Sequence, residues 1–568
     1  MKWSISPTDP AGVSDLAREL KLAPPAARVL WARGYRDPAE ARRFVTPSLN
    51  DLNDPYLLQS MPAAVERVRR AVEQKERILL YGDYDVDGTS SVVILKKGLE
   101  LLGADVSFHV PHRLRDGYGM RADVVEDAAE RGVKLIVSVD TGIRAAEVVR
   151  TASALGIDTI VTDHHLPEAE LPPAVAVLNP NRPDCSYPEK NLCGAGMALK
   201  LIQALLENHP KREAFVESFL KLVAIATVAD VVPLTGENRV IVKLGLQGLR
   251  EVRNPGLRAL LDVSELSEGA SPSAREIAFR VAPRINAAGR MASAKDVIEL
   301  FTTNDAARAR AIAGQLHDLN KDRQHTEAGI VQAIFELCPS VTDQDAALVF
   351  AGEGWHRGVV GIAASRVVER FHRPVFVLGI ENGVAQGSGR SIPAFHLLEA
   401  LEAMPDLFSK FGGHRQAAGL TLDAARIEEF RERFRAHAAT KLSPEDFVKT
   451  LEIDAQVDFR ELDDASAAGI LSLAPFGMGN PAPVFVARDL EVVSCDIKKE
   501  KHVFVKLKSQ GRLLQAKAWN WAERAGEFEP GSRIDLAFTV EDDAYSAARG
   551  YSPWQIMMKD ARPSSTAS

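Results

Sequence analysis

Three acidic side chains at alternate positions, in Asp83-Tyr-Asp85-Val-Asp87-Gly88, are the first residues in the chain whose types and spacing suggest chemistry. Carboxylates so spaced repel one another unless a cation neutralises them, so the segment is a candidate metal site. An acidic turn capping the next helix would use the same residues, and this motif alone does not separate the two readings. Two further segments tip the balance: Asp140 directly follows the apolar run 135–139, and Asp163-His164-His165 follows the run 159–162. Asp230, closing the apolar run 222–229, is a fourth candidate. Oxygen donors joined by one or two imidazoles and no thiolate favour Mn²⁺, with Mg²⁺ as the alternative, over structural zinc. A site so rich in acids can hold two ions bridged by one carboxylate, which suits in-line attack on phosphorus.

Residues this far apart in the chain meet only if strand ends converge. From about residue 54, short β-rich runs at 78–81, 106–109, 135–139, 159–162 and 175–178 alternate with segments of helical length such as 91–102 and 144–155. This is the pattern of an α/β fold with a mostly parallel, doubly wound sheet, whose strand ends line one crevice. The helix after the acidic motif is expected to start near Ser90. Before this domain, residues 1–53 carry short proline-broken helical patterns and are expected to form an N-terminal helical cap. After it, the proline-free stretch 304–337, with apolar residues mostly at helical spacing, predicts a long connecting helix within 304–345. A smaller α/β unit is expected at 346–442. Alternation such as Val503, Val505 and Leu507 against Lys506 and Lys508 then predicts a five-stranded β-barrel of the OB type over 443–562, and 563–568 reads as a disordered tail. Periodicity alone would equally allow another barrel or a sandwich.

The chain has 568 residues, 46% hydrophobic and 26% charged, which excludes a fibrous repeat, wholesale disorder and a small disulfide scaffold. Cys185, Cys193, Cys338 and Cys495 are scattered without a CxxC pair, so a reducing compartment is expected. No apolar signal segment opens the sequence and no run of about 18 apolar residues follows, so a cytoplasmic setting is expected. The 69 basic and 77 acidic residues leave a net charge of −8, which argues against a uniformly basic coat. Local patches differ. Residues 275–290 hold four arginines against Glu276, and residues 495–517 hold seven Lys/Arg against Asp496 and Glu500. The second patch lies beside Phe504, Trp519 and Trp521, a mixture of cations and aromatics suited to unpaired bases, although strand aromatics more often belong to a core. Gly412-Gly413-His414 and the run Gly387 to Ser391 are expected to be glycine-rich turns before helices, able to offer backbone N–H groups to phosphate beside Arg390 and His414.

The acidic motif, Asp140 after its strand and the AspHisHis triplet resemble the DHH phosphoesterases, and PheGlyGlyHisArgGlnAlaAlaGly at 411–419 resembles the motif of their companion DHHA1 domain. GlyTyrGly at 117–119, ProArgIleAsnAlaAlaGlyArg at 283–290, the segment 355–366 and PheGlyMetGlyAsnProAlaProValPhe at 476–485 are similar to the bacterial single-strand-specific exonucleases of that family. The resemblance implies a DHH catalytic domain at 54–303, a DHHA1 domain at 346–442 and a nucleic-acid-binding OB domain. It implies Asp83, Asp85, Asp87, Asp140, His164 and Asp230 as metal ligands, with Asp140 the bridge. Asp83 would stand in for a His that related phosphoesterases carry at the position of Tyr81. The catalytic set would be Asp140, His164 and His165, with His165 on the scissile phosphate. Substrate contacts would come from Arg113, Arg284, Asn286, Arg290, Arg357, Arg390, Ser391 and His414, and from Phe504 and Trp519 stacking on bases. The implied activity is a metal-dependent 5′→3′ exodeoxyribonuclease that releases 5′-mononucleotides from single-stranded DNA in DNA repair, mismatch repair and recombination. A single-strand-binding protein and a helicase are implied partners, and a monomer is expected. The rival readings are a related phosphodiesterase of short RNA oligonucleotides, cyclic dinucleotides or pyrophosphate, and a non-enzymatic single-strand-binding scaffold.

Overall fold

Five parallel strands form the central sheet of the catalytic domain, in the order Asp105–His109, Arg77–Tyr81, Val133–Val139, Asp158–Thr162 and Ala176–Leu178. The computed structural model describes residues 1–113, 115–266 and 268–564. Along each strand, successive side chains serve opposite faces. Ile78 and Leu80 join the large helical core containing Val92, Leu99 and Leu201. Leu79 and Tyr81 instead pack with Met120, Val125 and Ala128 under the helix Ala122–Glu130. Burial on both faces explains why these strands read as continuous apolar runs, and it leaves only their ends free for polar chemistry.

The helix after the acidic motif starts earlier than expected, spanning Val86–Leu101. Asp85 is its N-cap and accepts a hydrogen bond from Gly88 N at 2.9 Å, which satisfies a helix-end amide and sets the start four residues upstream of Ser90. The two sequence readings of this motif therefore coexist, because one carboxylate oxygen caps the helix while the cluster gathers beyond it.

The long helix spans Ala306–Leu337, 32 residues and about 48 Å, and leads to the second α/β unit. Its mixed sheet runs Lys410–Gly413, Ala417–Asp423, Val384–Arg390, Val375–Glu381, Leu348–Glu353, with only the last pair parallel. The C-terminal strands Phe485–Lys498, His502–Ser509, Arg512–Ala518, Trp554–Pro563 and Arg533–Asp542 pair in that order, and the last returns to the first, closing a five-stranded barrel. Pro563 still pairs in this barrel with Ile534, and Ser564 N donates to Arg533 O at 3.0 Å. The remainder of the expected tail, 565–568, lies outside the described residues. No described helix is long and apolar enough to cross a membrane.

The N-terminal residues form more than a separate helical cap. Lys2–Ile5 pairs in parallel with Thr450–Ile453, and Leu16, Val29, Leu30 and Phe44 share one core with Phe459, Ile470 and Phe485 of the C-terminal domain. Short proline-broken helices bury too little apolar surface to be stable alone, so they draw on the barrel. The helix Gly236–Gly248 ties this assembly to the catalytic domain. Buried Arg239 donates from Nε to Phe44 O at 2.6 Å and from Nη2 to Leu473 O and Ala474 O at 2.9 and 3.0 Å, with its guanidinium 3.4 Å from the Phe44 ring centroid. Arg239→Met would leave three carbonyls without this donor. We expect a loss of about 3 kcal/mol, read as a lower midpoint for the first thermal transition. An unchanged melt would show that this junction does not hold the domains together.

Candidate metal centre and anion wall

Three adjacent strands of the catalytic sheet end in the three sequence motifs. Asp83, Asp85 and Asp87 follow Arg77–Tyr81, Asp140 follows Val133–Val139, and Asp163 to His165 follow Asp158–Thr162. Asp230 arrives from another direction as the C-cap of the helix Arg212–Ala229. Their ligand atoms form three overlapping groups, each within 4.8 Å: Asp83, Asp85 and Asp140; Asp87, His164 and Asp230; and Asp140, His164 and His165. His164 Nε2 is central, at 3.1 Å from Asp140 Oδ1, 3.7 Å from Asp87 Oδ2 and 3.8 Å from Asp230 Oδ2. Asp140 links the groups and has a left-handed backbone (φ 57°), a strained conformation that aspartate tolerates better than most residues.

The electrostatics fit a cation. Burial, reinforced by neighbouring carboxylates, pushes Asp83 and Asp140 well above the usual carboxylate range. Burial with Asp87 and Asp85 nearby pushes Asp230 up to about 9. Burial also lowers His164, favouring the neutral imidazole that a metal requires. Asp83 Oδ1 and Asp230 Oδ2 are buried without a hydrogen-bond partner, which is costly for a carboxylate unless something else coordinates it. A set of carboxylate oxygens with one or two imidazole nitrogens suits Mn²⁺ or Mg²⁺. Tyr81 takes no part: its hydroxyl donates to Gly119 O at 3.3 Å, and its ring packs in the core under Ala122–Glu130.

Several supports are residues to which the sequence reading gave no role of their own. Asp163 is fully buried and accepts from Ile143 N, His164 N, His165 N and the His165 ring at Nδ1, the last at 2.8 Å. Burial, the largest single influence, would raise Asp163 and lower His165. Their mutual hydrogen bond and charge, with Ile143 N and His164 acting on Asp163 and the charges of Asp87 and Asp85 on His165, together outweigh it, so Asp163 is lowered and His165 raised. His165 is thereby biased towards its cationic form, with Nε2 turned away from Asp163. Gly194 N and Ala195 N donate to the two oxygens of Asp87 at 2.5 and 2.8 Å, an anion held at the start of the helix Gly194–Leu205. A Cβ at Gly194 would lie 2.7 Å from Asp140 Cβ, so only glycine lets this helix approach. Tyr118 donates to Asp140 O at 3.3 Å from within the GlyTyrGly motif. Being the first letter of the triplet was the only sequence signal for Asp163; Gly194 carried none.

The arginines divide. Arg113 lies within electrostatic reach of Asp83, Arg290 and Arg390, and Arg290 of Asp85, so basic groups from both α/β domains form one wall near the carboxylates. Arg390 is also held there by donating from Nη1 to Ser388 Oγ at 2.9 Å and Gly389 O at 2.8 Å. Arg290 also donates to Gly358 O at 2.8 Å, joining the domains, and His414 feels both Arg144 and His165. Asn286 Oδ1 accepts from Val86 N at 3.3 Å and so steadies the acidic loop. Arg284 is turned to His317 on the long helix, Arg357 pairs with Glu381 and Gln386, and Ser391 donates to Phe395 O. These three are engaged within the protein. Phe504 and Trp519 lie on the outer barrel surface with centroids 6.1 Å apart, and Trp519 is 51% exposed.

The expectation of glycine-rich turns before helices is corrected. Gly387 to Arg390 lie within the strand Val384–Arg390, between two partners. A Cβ at Gly387 would lie 2.2 Å from Val377 O, and one at Gly389 2.5 Å from the Phe376 ring, so these glycines permit close packing in the sheet. Gly412 and Gly413 likewise lie in the strand Lys410–Gly413, and His414 N donates to Ala417 O across the hairpin.

Carboxylates and a neutral imidazole gathered at parallel strand ends, faced by arginines from a second α/β domain, define a metal-dependent phosphoesterase of the DHH class. Residues 77–227 match the DHH family, N-terminal domain; residues 343–440 match the DHHA1 domain; residues 453–560 match the RecJ OB domain. The chain belongs to the RecJ family. It is 37% identical to the single-stranded-DNA-specific exonuclease RecJ of Bacillus subtilis (strain 168), spanning 99% of this chain and 71% of that relative. It is also 37% identical to RecJ of Dickeya dadantii (strain 3937), spanning 93% and 94%. The crystal structure of RecJ in complex with Mn²⁺ from Thermus thermophilus matches with a TM-score of 0.84 at 32% identity, over 99% of this chain and 79% of that one. The Mg²⁺ complex from the same organism matches with a TM-score of 0.78 at 30% identity, over 99% and 78%.

If Asp163 orients and charges His165, Asp163→Asn should lower kcat by about two orders of magnitude while Mn²⁺ affinity changes only a few-fold. Calorimetric titration with Mn²⁺ beside single-turnover kinetics checks this. Parallel loss of both would make Asp163 a support for the metal pocket instead.

Proposed function

We propose that this protein is a single-stranded-DNA-specific 5′→3′ exonuclease that releases 5′-mononucleotides and acts in DNA repair and recombination. One observation carries the reading: the acidic pocket shares its cleft with a wall of arginines from both α/β domains, in a chain that also carries a barrel with exposed aromatic and basic side chains. A compact dinucleotide or pyrophosphate site would have no use for that barrel. The relatives are single-stranded-DNA-specific exonucleases, which supports the same substrate here. The setting that goes with this reading is cytoplasmic and monomeric, with a single-strand-binding protein and a helicase as partners.

Asp83, Asp85, Asp87, Asp140, His164 and Asp230 would hold two divalent ions, Mn²⁺ or Mg²⁺, which supply Lewis-acid stabilisation of the phosphoryl group and activation of water. The chain's own side chains do the rest. His165, fixed by Asp163 and biased by it towards the cation, donates from Nε2 to the scissile phosphate. Arg113, Arg290 and Arg390 neutralise the phosphates nearest the 5′ end, and His414 closes the cleft from the second domain. Anchoring the terminal phosphate in this closed wall sets how far the strand enters and hence the 5′→3′ direction and the mononucleotide product. Phe504 and Trp519 hold the trailing strand by stacking.

Asp140→Ala should abolish hydrolysis of end-labelled single-stranded DNA with Mn²⁺ while preserving DNA binding. A panel of single-stranded DNA, duplex DNA, short RNA and a cyclic dinucleotide tests the substrate class, and preferential turnover of the last two would overturn it. Arg390→Ala should reduce, by about tenfold, the preference for 5′-phosphorylated over 5′-blocked strands, since a charge-assisted contact is lost. An unchanged ratio would leave Arg390 only its bonds to Ser388 Oγ and Gly389 O within the sheet.

A further inference from the structure

Phe279 is 65% exposed. Single exposed apolar residues are ordinary, so its surroundings matter more than its exposure. The ring is carried on a π-helical turn, Ile277–Val281, inserted between Ala274–Glu276 and the helix Ala282–Met291. Such insertions re-aim side chains and concentrate at functional sites. Phe279 lines a groove of about 940 Å³ together with Val231, Asn286 and Arg290.

One end of this groove borders the metal pocket. Val231 directly follows Asp230, Asn286 holds the amide of Val86, and Arg290 is within electrostatic reach of Asp85. Val231 is 66% exposed with a left-handed backbone (φ 59°), a strained state for a β-branched residue. On the other side, the residues preceding Phe279 meet the barrel. Arg275 lies 3.9 Å from Glu541, and Glu276 acts on Asp542 at the end of the strand Arg533–Asp542. The next residue, Asp543, holds Lys517 Nζ at 3.0 Å, and that ammonium lies 5.8 Å from the Phe504 ring centroid. A continuous chain of neighbours therefore runs from the aromatic barrel face, past Phe279, to Asp230.

The charges along this path decide which part of a strand can lie there. Beside Phe279 the acids Glu276 and Glu541 are matched by Arg280 and Arg275, whereas Arg290, Arg323, Arg366 and Arg370 line the groove itself and attract phosphate into it. The exposed apolar ring offers a phosphate no partner while the groove arginines do, so a strand crossing from barrel to metals is best placed with its backbone on the arginines and a base against the ring. We propose that Phe279 stacks on one unpaired base of that strand and so fixes the register in which each phosphodiester reaches the metal pocket. This rests on single-stranded DNA being the substrate, and it assigns Phe279 as a substrate-positioning residue outside the metal centre.

The test is single-turnover cleavage, with Mn²⁺, of oligonucleotides in which one abasic site is moved stepwise from the 5′ end. Wild type should slow about tenfold when the abasic site reaches one particular distance, the loss expected for one base–aromatic stack. Phe279→Ala should cleave intact strands at about that slower rate and show no further dip at that distance, while Phe279→Tyr should restore the wild-type profile. An identical dip in wild type and Phe279→Ala, or no dip in wild type, would overturn the assignment. Failure of wild type to cleave intact single strands would instead overturn the substrate reading, and this assignment with it.

Discussion

Like charges held together out of water are the constraint on which the structure depends. Asp83, Asp87 and Asp140 are buried, Asp85 and Asp230 stand beside them, and burial with neighbouring carboxylates raises the cost of ionising Asp83, Asp140 and Asp230. The scaffold answers with fixed dipoles and rigid elements: the first turns of Val86–Leu101 and Gly194–Leu205, the amides of Gly194 and Ala195, and the ring of His164. These hold the oxygens in place but do not balance their charge. Oxygens of Asp83 and Asp230 remain without hydrogen bonds, and divalent cations are the natural complement.

The second tension is between net and local charge. A chain of net charge −8 must still bind a polyanion, and on the proposed reading it does so by concentrating cations beside the metal pocket. Arg113 and Arg290 come from the catalytic domain and Arg390 from the smaller sheet, so the wall exists only while the two domains are packed together. The buried Asn320–Arg323–Glu327 network on the long helix, with Arg366 bonded to Glu327 at 3.0 Å, helps keep them so. On that reading, domain packing is part of building the site.

Much of this was legible beforehand where local signals were strong. The parallel strands read correctly because burial on both faces makes them uninterrupted apolar runs, and residues that follow such strands must share one edge of the sheet. The long helix read correctly because nothing breaks it between its ends. The glycines at 387, 389 and 412–413 misled because glycine marks a turn and a close-packed strand alike; only Val377 O and the Phe376 ring, distant in sequence, reveal which applies. The N-terminal helices misled because their partner core lies more than 400 residues away.

The sequence by itself determined which groups exist and in what order: acids and imidazoles after apolar strands, arginines in clusters, aromatics on an alternating barrel. Strand and helix periodicity are local properties, so these survive reading one residue at a time. Tertiary structure alone decided the rest. It turned Asp163 onto His165, brought Gly194 against Asp140, sent Arg284 to His317 and Arg390 to the basic wall, and left Phe279 open between barrel and metal pocket. The reason is physical: whether a charged or aromatic side chain serves the site or the scaffold depends on which partner lies within a few ångströms, and chain spacing does not encode that distance.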